Sequence, residues 1–251
     1  MKKLYIFIIV CFACSITSCV DIVERYNFKA NGTCEVLYDF DMSQAVAVLH
    51  NLLSDSLAST PQFAMVKDTV MNLYSALPDS TQTKMSAEEM KLAQSSNLAI
   101  NMNLKRSMMK VSIRHQANSP QELEYYLQRL SKLAKYDQEN AKRPNMNMFN
   151  AQQLIAGQDI YAYQVTPHKF CRVIDMAKFK VFLKKTQSTF AMAKAMLIET
   201  PYKVVLNFAK PVKKIDNKKA IVSADRKQVT LQTSMDELVK NPSLMNLRID
   251  F

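Results

Sequence analysis

The chain has 251 residues, 48% of them hydrophobic, a net charge of +11, and only two glycines, Gly32 and Gly157, where average usage of roughly 7% would give about 18. That scarcity excludes GxGxxG dinucleotide loops, Walker P-loops and GxSxG nucleophile elbows, which need clustered glycine for close backbone approach or a sharp turn. Five cysteines and three histidines, widely scattered, argue against zinc modules.

Met1-Lys2-Lys3 is a short basic start, residues 4–13 (LYIFIIVCFA) are an apolar run, and residues 14–18 are small and polar. This is the layout of a secretory signal, and the apolar run is too short for the roughly 20 residues of a membrane span. Residues 1–18 therefore read as a signal peptide. Ile16-Thr17-Ser18-Cys19 resembles a bacterial lipobox, with Ser18 where Gly or Ala is commoner. The resemblance implies that the Cys19 thiol is acylated and becomes the first residue of a membrane-anchored protein; plain signal cleavage with Cys19 incidental is the other reading. Cys34 and Cys171 then remain, in a compartment that permits a disulfide. Each is equally readable as a small buried hydrophobe, and geometry decides between the two.

Residues 22–40 read as a hairpin around Asn31-Gly32. A two-residue loop would oppose Phe28 to Glu35, mixing an aromatic with a carboxylate on one face. A three-residue loop, Ala30-Asn31-Gly32, pairs Phe28 with Cys34 and Tyr26 with Val36 and puts both apolar rows together, as a half-buried sheet requires. That loop is a type I turn closed by a left-handed residue, for which glycine is suited.

Ser43 is a cap for a helix with Ala45, Leu49, Leu52, Leu53 and Leu57 on one stripe. After Pro61, the residues Phe63, Val66, Val70, Leu73 and Leu77 step by 3 and 4 and predict an amphipathic helix. Ser86-Ala87-Glu88-Glu89 is a capping box opening a helix to about residue 94. Alternation at Leu98, Ile100, Met102, Leu104, Val111 and Ile113 predicts a second hairpin over residues 97–116. Ser119-Pro120-Gln121-Glu122 starts a helix to about residue 140, with Leu123, Leu127, Leu130 and Ala134 inward. Residues 143–157 read as irregular.

Residues 159–166 and 169–174 read as strands around Pro167. Asp175 caps a helix with Phe179, Phe182 and Leu183 inward, and a second helical stretch runs to about residue 198. Strands follow over residues 202–208, 219–224 and 228–234, then a short helix over residues 236–240 and an alternating tail, Leu247, Ile249, Phe251. The assembly this predicts is a single α+β domain over residues 19–251, a largely antiparallel twisted sheet built from hairpins with helices packed mainly on one face.

Charge is uneven: residues 20–100 hold 5 basic and 10 acidic side chains, residues 101–251 hold 26 and 12. Lys210, Lys213, Lys214, Lys218 and Lys219 lie in the densest stretch and are candidates for contact with anionic lipid or an envelope polymer; a plain solvated surface is the alternative. No RNP-type aromatic motif accompanies them, so nucleic acid is not an expected partner.

Candidate chemistry is sparse. His50, His115 and His168 carry no motif. Glu35, Asp39 and Asp41 share one face of a strand, a pattern open to glycoside hydrolysis or to a solvated strand face. Met146 and Met148 resemble the Met-x-Met spacing of periplasmic copper handlers; thioethers select Cu(I), and core filling is the other account. Tyr125, Tyr126, Tyr161 and Tyr163 suit either carbohydrate stacking or core packing. No cofactor is expected.

The lipobox at Cys19, the hairpin Tyr26-Asn27-Phe28 to Tyr38-Asp39-Phe40-Asp41-Met42-Ser43, Phe208-Ala209-Lys210-Pro211, Ser223-Ala224-Asp225-Arg226-Lys227-Gln228-Val229-Thr230 and Asn241-Pro242 together resemble envelope lipoproteins of the Bacteroidota type. The resemblance implies an envelope location and no particular activity. Surface-exposed members carry an acidic cluster after the cysteine; residues 20–25 here are sparsely acidic, which favours the outer membrane facing the periplasm. The expected role is non-enzymatic binding or support near the bilayer, toward lipid, polymer or an envelope protein. An envelope hydrolase acting on glycan or lipid is the alternative.

Overall fold

In the computed structural model the described residues are 20–52, 60–61, 64–77, 79–135, 159–195 and 200–251. Along the chain come β1 (Asp21–Phe28), β2 (Cys34–Asp41), α1 (Ser43–Leu52), β3 (Val66–Asn72), the short helices α2 (Leu73–Ala76) and α3 (Asp79–Gln82), α4 (Ala87–Gln94), β4 (Ser96–Asn103), β5 (Met108–Ala117), α5 (Pro120–Lys135), β6 (Tyr161–Thr166), β7 (Lys169–Ile174), α6 (Met176–Ala195), β8 (Pro201–Phe208), β9 (Lys214–Ile215), β10 (Ile221–Val222), β11 (Gln228–Ser234), α7 (Met235–Lys240) and β12 (Leu247–Asp250). This is an α+β fold whose strands divide between two sheets. The larger runs β10-β11-β8-β1-β2-β5-β4-β3 and the smaller β6-β7-β12-β9. Every pairing is antiparallel except β1 with β8.

The first hairpin takes the three-residue loop. Phe28 faces Cys34 and Tyr26 faces Val36. Lys29 N donates to Thr33 O at 2.9 Å and Gly32 N to Lys29 O at 3.1 Å, with Gly32 at φ +84. The apolar rows therefore coincide, and they continue across the sheet: Tyr26, Val36, Tyr38, Ile113, Leu98, Leu206 and Leu231 are all buried. The small sheet and the helices cover this one face. Phe170 of β7 packs on Tyr26 with ring centroids 5.3 Å apart, while α5 contacts β5 and β6, α4 contacts β4 and α1 contacts β5. One contiguous core results.

Helix starts follow their caps. At α4, Ser86 Oγ accepts from Glu89 N at 3.2 Å and the Glu89 carboxylate accepts from Ser86 N at 3.0 Å. Ser119 Oγ accepts from Glu122 N, and Asp175 accepts from the Ala177 and Lys178 amides. The two helical stretches expected after Asp175 form one continuous helix, α6, and the strand expected over residues 219–224 shortens to β10.

Two expectations are overturned. Val66 to Leu77 is not one amphipathic helix: β3 pairs antiparallel with β4 along its length, and only residues 73–76 are helical. Val66, Thr69 and Val70 are β-branched and suit a strand. Val66 and Val70 are 65% and 72% exposed, so their spacing marks no buried helical face. In α1 the buried residue is Val46, while Leu49 and Leu52 are exposed. Ser43 does not cap; its hydroxyl accepts from Met109 N, and Asp41 accepts from Ser43 N. Phe63, Leu53 and Leu57 lie outside the described residues, as does the whole of residues 143–157 with Gly157.

The register separates two ends of the large sheet. Asp21, Asp41 and Lys110 share the end where β1 starts; Phe28, Cys34, Ala117 and Phe208 share the other. Eight residues at about 3.3 Å each put these ends roughly 23 Å apart. Open space surrounds the position of a Gly32 Cβ, so only the backbone resists substitution there. Gly32→Ala is expected to lower unfolding stability by about 1–2 kcal/mol, read from urea midpoints, and Gly32→Asn by less. An unchanged midpoint for the alanine variant would contradict the left-handed assignment.

Candidate functional site

Alternation along β1 places Glu24 in the row of Tyr26, and alternation along β7 places Arg172 between Phe170 and Ile174. Both rows face the space between the sheets. Glu24 and Arg172 are each 0% exposed and form an ion pair through Arg172 Nη1 and Glu24 Oε2. The Tyr202 hydroxyl donates to Glu24 Oε1, and the Tyr26 hydroxyl donates to Oε2 at 3.1 Å. The Arg172 guanidinium lies 3.9 Å from the Tyr161 ring centroid and 5.7 Å from that of Tyr202, a cation–π arrangement. Burial pushes the Tyr26, Tyr38, Tyr163 and Tyr202 phenols well above their usual range, with the Glu24 charge adding to it. These tyrosines are therefore neutral donors. Both charges are fully buried, and the cluster ties β1, β8 and β7 together.

A second polar pair lies under α5. Ser96 Oγ sits 3.1 Å from His115 Nδ1, and the His115 ring stacks on Tyr126 with centroids 3.8 Å apart. Ser96 Oγ donates to Leu92 O at 2.8 Å. Its one proton is thus committed, and Nδ1–H of His115 must be the donor between the two. That is the reverse of a nucleophile–base dyad. Burial pushes the imidazole down to about 4, keeping it neutral.

The uncovered face of the large sheet carries the carboxylates singled out as glycosidase candidates. Each has a cation on a neighbouring strand: Lys110–Asp41 at 2.8 Å, Arg114–Glu35 at 3.4 Å and Arg25–Asp39 at 3.9 Å. Partial burial raises the Asp39 carboxyl despite Arg25. At Asp41 burial also acts upward, but Lys110 and Ser43 outweigh it and hold the carboxyl low. A shallow depression of about 370 Å³ lies between Asp39, Asp41, Asn101, Lys110 and Ser112, floored by the small Ala99.

The five candidate lysines do not form one patch. Lys210, Lys213 and Lys214 lie at the sheet end marked by Phe28 and Phe208, with Lys213 Nζ donating to Phe251 O at 3.3 Å. Lys219 instead pairs with Glu237 at 2.6 Å, beside the end of β11 that abuts Pro201. Lys218 is exposed on the connection between them. Cys34 and Cys171 are both free, so the disulfide that the cysteine count allows is not made. Cys34 faces the core, its thiol pushed up to about 12 by burial. Cys171 alternates with the inward-facing Arg172 and so lies on the outer face of the small sheet. Tyr161 and Tyr163 are core residues and not a carbohydrate platform, and the Tyr125 hydroxyl donates to Glu88. Cys19, Met146 and Met148 lie outside the described residues. Among the described residues no group of three or more His, Cys, Asp or Glu is placed to hold a metal, and no helix is long and apolar enough to cross a membrane.

Glu24 and Arg172 escaped the sequence reading although a signal exists: each is a charge at the inward position of an alternating apolar row. Comparison with family models, curated proteins and solved structures finds no match.

Removing one member of the buried pair strands the other. Glu24→Gln and Arg172→Met are each expected to cost about 3–5 kcal/mol in urea unfolding, and the double variant less than their sum. Additivity would show that the pair is not coupled. For His115, the unfolded chain binds a proton near pH 6.5 and the folded one only near pH 4. Its contribution is full above pH 6.5 and is lost as pH falls toward 4. The urea midpoint is expected to drop between pH 6.5 and 5 in the parent, and His115→Phe to flatten that stretch.

Proposed function

We propose that the chain is a lipid-anchored lipoprotein of the cell envelope, acylated at Cys19, that works by binding and not by catalysis. The observation that carries this reading is how soon after Cys19 the first strand starts. β1 starts at Asp21, two residues after Cys19, and it is an interior strand held by β2 on one side and β8 on the other. An acyl anchor at Cys19 would hold the sheet itself beside the bilayer, without a flexible tether.

Two further observations support the reading. Several groups with acid–base capacity are engaged in structure: Glu24 with Arg172 and two tyrosines, His115 as a donor to Ser96, Asp41 with Lys110. Of the acids in residues 20–25, Glu24 is buried, so Asp21 alone presents a carboxylate to solvent. That further thins the acidic cluster that marks surface-exposed members of the Bacteroidota type, and it favours the outer membrane with the domain facing the periplasm.

Metabolic labelling with a palmitate analogue is expected to mark the protein and to be abolished by Cys19→Ala. Undiminished labelling of the variant would reject acylation at this residue. Hydrolysis of envelope glycan or lipid by the purified protein would favour the enzymatic alternative.

A further inference from the structure

The two ends of the sheet differ in charge. Where β1 begins, signs alternate and pair: Asp41 with Lys110, Glu237 with Lys219, and Asp21 and Asp236 nearby. At the other end five connections and strand ends converge. The β1–β2 loop brings Lys29, the start of β7 Lys169, the β8–β9 connection Lys210 and Lys213, β9 Lys214 and the β10–β11 turn Lys227. Their convergence is fixed by backbone: Ala209 N donates to Phe28 O at 3.1 Å, Phe208 N to Lys227 O at 2.8 Å, Lys213 N to Asp250 O at 2.8 Å and Phe251 N to His168 O at 3.0 Å. Stacked rings support them from beneath, Phe28 on Phe208 at 5.0 Å and Phe208 near Phe251 at 4.5 Å.

The counter-charges on these segments are Asp225 and Asp250; at the same end of the large sheet Glu35 is paired with Arg114, and Glu122 accepts from Asn118 N. Asp225 is held by the Ser223 hydroxyl and Lys227 N, and Asp250 stands in register between Lys169 and Lys214. Arg226, exposed and at φ +56, donates from Nε to Val212 O at 2.7 Å and from Nη2 to Lys213 O at 3.3 Å. The rim therefore presents mainly lysine ammonium groups on flexible stems, and its arginine has Nε and Nη2 engaged with backbone carbonyls rather than free as a fork for a phosphate.

We infer that this end docks an anionic polymer of the envelope, a chain carrying repeated carboxylates. Spread over both sheets, whose faces lie roughly 10 Å apart, the lysines suit many weak contacts along a chain better than one shaped ligand. A lipid surface fits less well. The anchor proposed at Cys19 stands beside Asp21, at the opposite end of the large sheet, so the bilayer it reaches is not the one this rim faces. The naming of an envelope polymer rests on the location proposed above; the docking surface itself does not.

The test uses the full lipoprotein in neutral phosphatidylcholine vesicles and fluorescent polygalacturonate as the carboxylate polymer. Binding is expected at low salt, with an affinity that falls steeply as salt rises. The variant Lys210→Gln/Lys213→Gln/Lys214→Gln/Lys227→Gln is expected to bind at least about tenfold more weakly. The variant Lys105→Gln/Lys180→Gln/Lys184→Gln/Lys185→Gln removes the same charge from exposed sites elsewhere and is expected to bind nearly as the parent does. Equal weakening in both variants would reduce the effect to net charge and overturn the inference. So would the absence of binding at low salt, or binding to phosphatidylglycerol vesicles in preference to the polymer. All eight lysines lie on the surface, and an unchanged urea midpoint confirms folding. Palmitate labelling at Cys19 is read separately, so loss of polymer binding with labelling intact rejects this inference alone.

Discussion

Between the sheets a carboxylate and a guanidinium have both given up their water, and the rest of the fold is arranged so that neither is left alone. Removing two charges from water costs several kcal/mol per ion, and attraction offsets that only when the remaining lone pairs and donors are met. Here Glu24 takes Arg172 on one oxygen and Tyr202 on the other, with Tyr26 on the first. Of the Arg172 nitrogens only Nη1 has a hydrogen-bond partner among the described residues; Nε and Nη2 are buried without one, and the Tyr161 ring covers the guanidinium. The pair belongs to β1 and β7, and the Tyr202 hydroxyl to β8. Three strands from distant parts of the chain are therefore locked in position along their length. A one-residue slip of β1 would turn Glu24 to the uncovered face and leave Arg172 charged in an apolar interior.

Local rules were readable where one residue type answers one backbone need. Gly32 is the residue suited to the left-handed position of a three-residue hairpin, and the pairing of Phe28 with Cys34 follows from it. Ser86 with Glu89, Ser119 before Pro120 and Asp175 mark helix starts because unsatisfied amides there need side-chain oxygens. The reading failed where neighbours decide. Val66, Val70, Leu73 and Leu77 satisfy a helical period, but the free edge of β4 captured the first part of the segment. Leu49 and Leu52 have the spacing of a buried stripe and are exposed.

The candidate sites were less legible than the fold, for a related reason. A charged residue within an apolar row looks like an interruption until its partner is known, and Glu24 and Arg172 are 148 residues apart. Lysines close in sequence looked like one patch. The reversal of the chain through β9 and β10 separates Lys219 from Lys210 and Lys213, while it brings Lys29 and Lys169 from far upstream to the same end. Sequence proximity reports charge density, and the sheet decides which charges face a partner together.

The parallel contact of β1 with β8 also sets an order of events. Asn27 and Asn207, hydrogen-bonded across that contact, are 180 residues apart. The first strand made is thus an interior strand whose neighbour is among the last to appear, and the eight-stranded sheet cannot close until most of the polypeptide is present. Such distant pairing makes folding slow. For a chain exported as proposed above, that delay has a use: the core stays open while the polypeptide is still threading outward, and closes only when its last third has arrived.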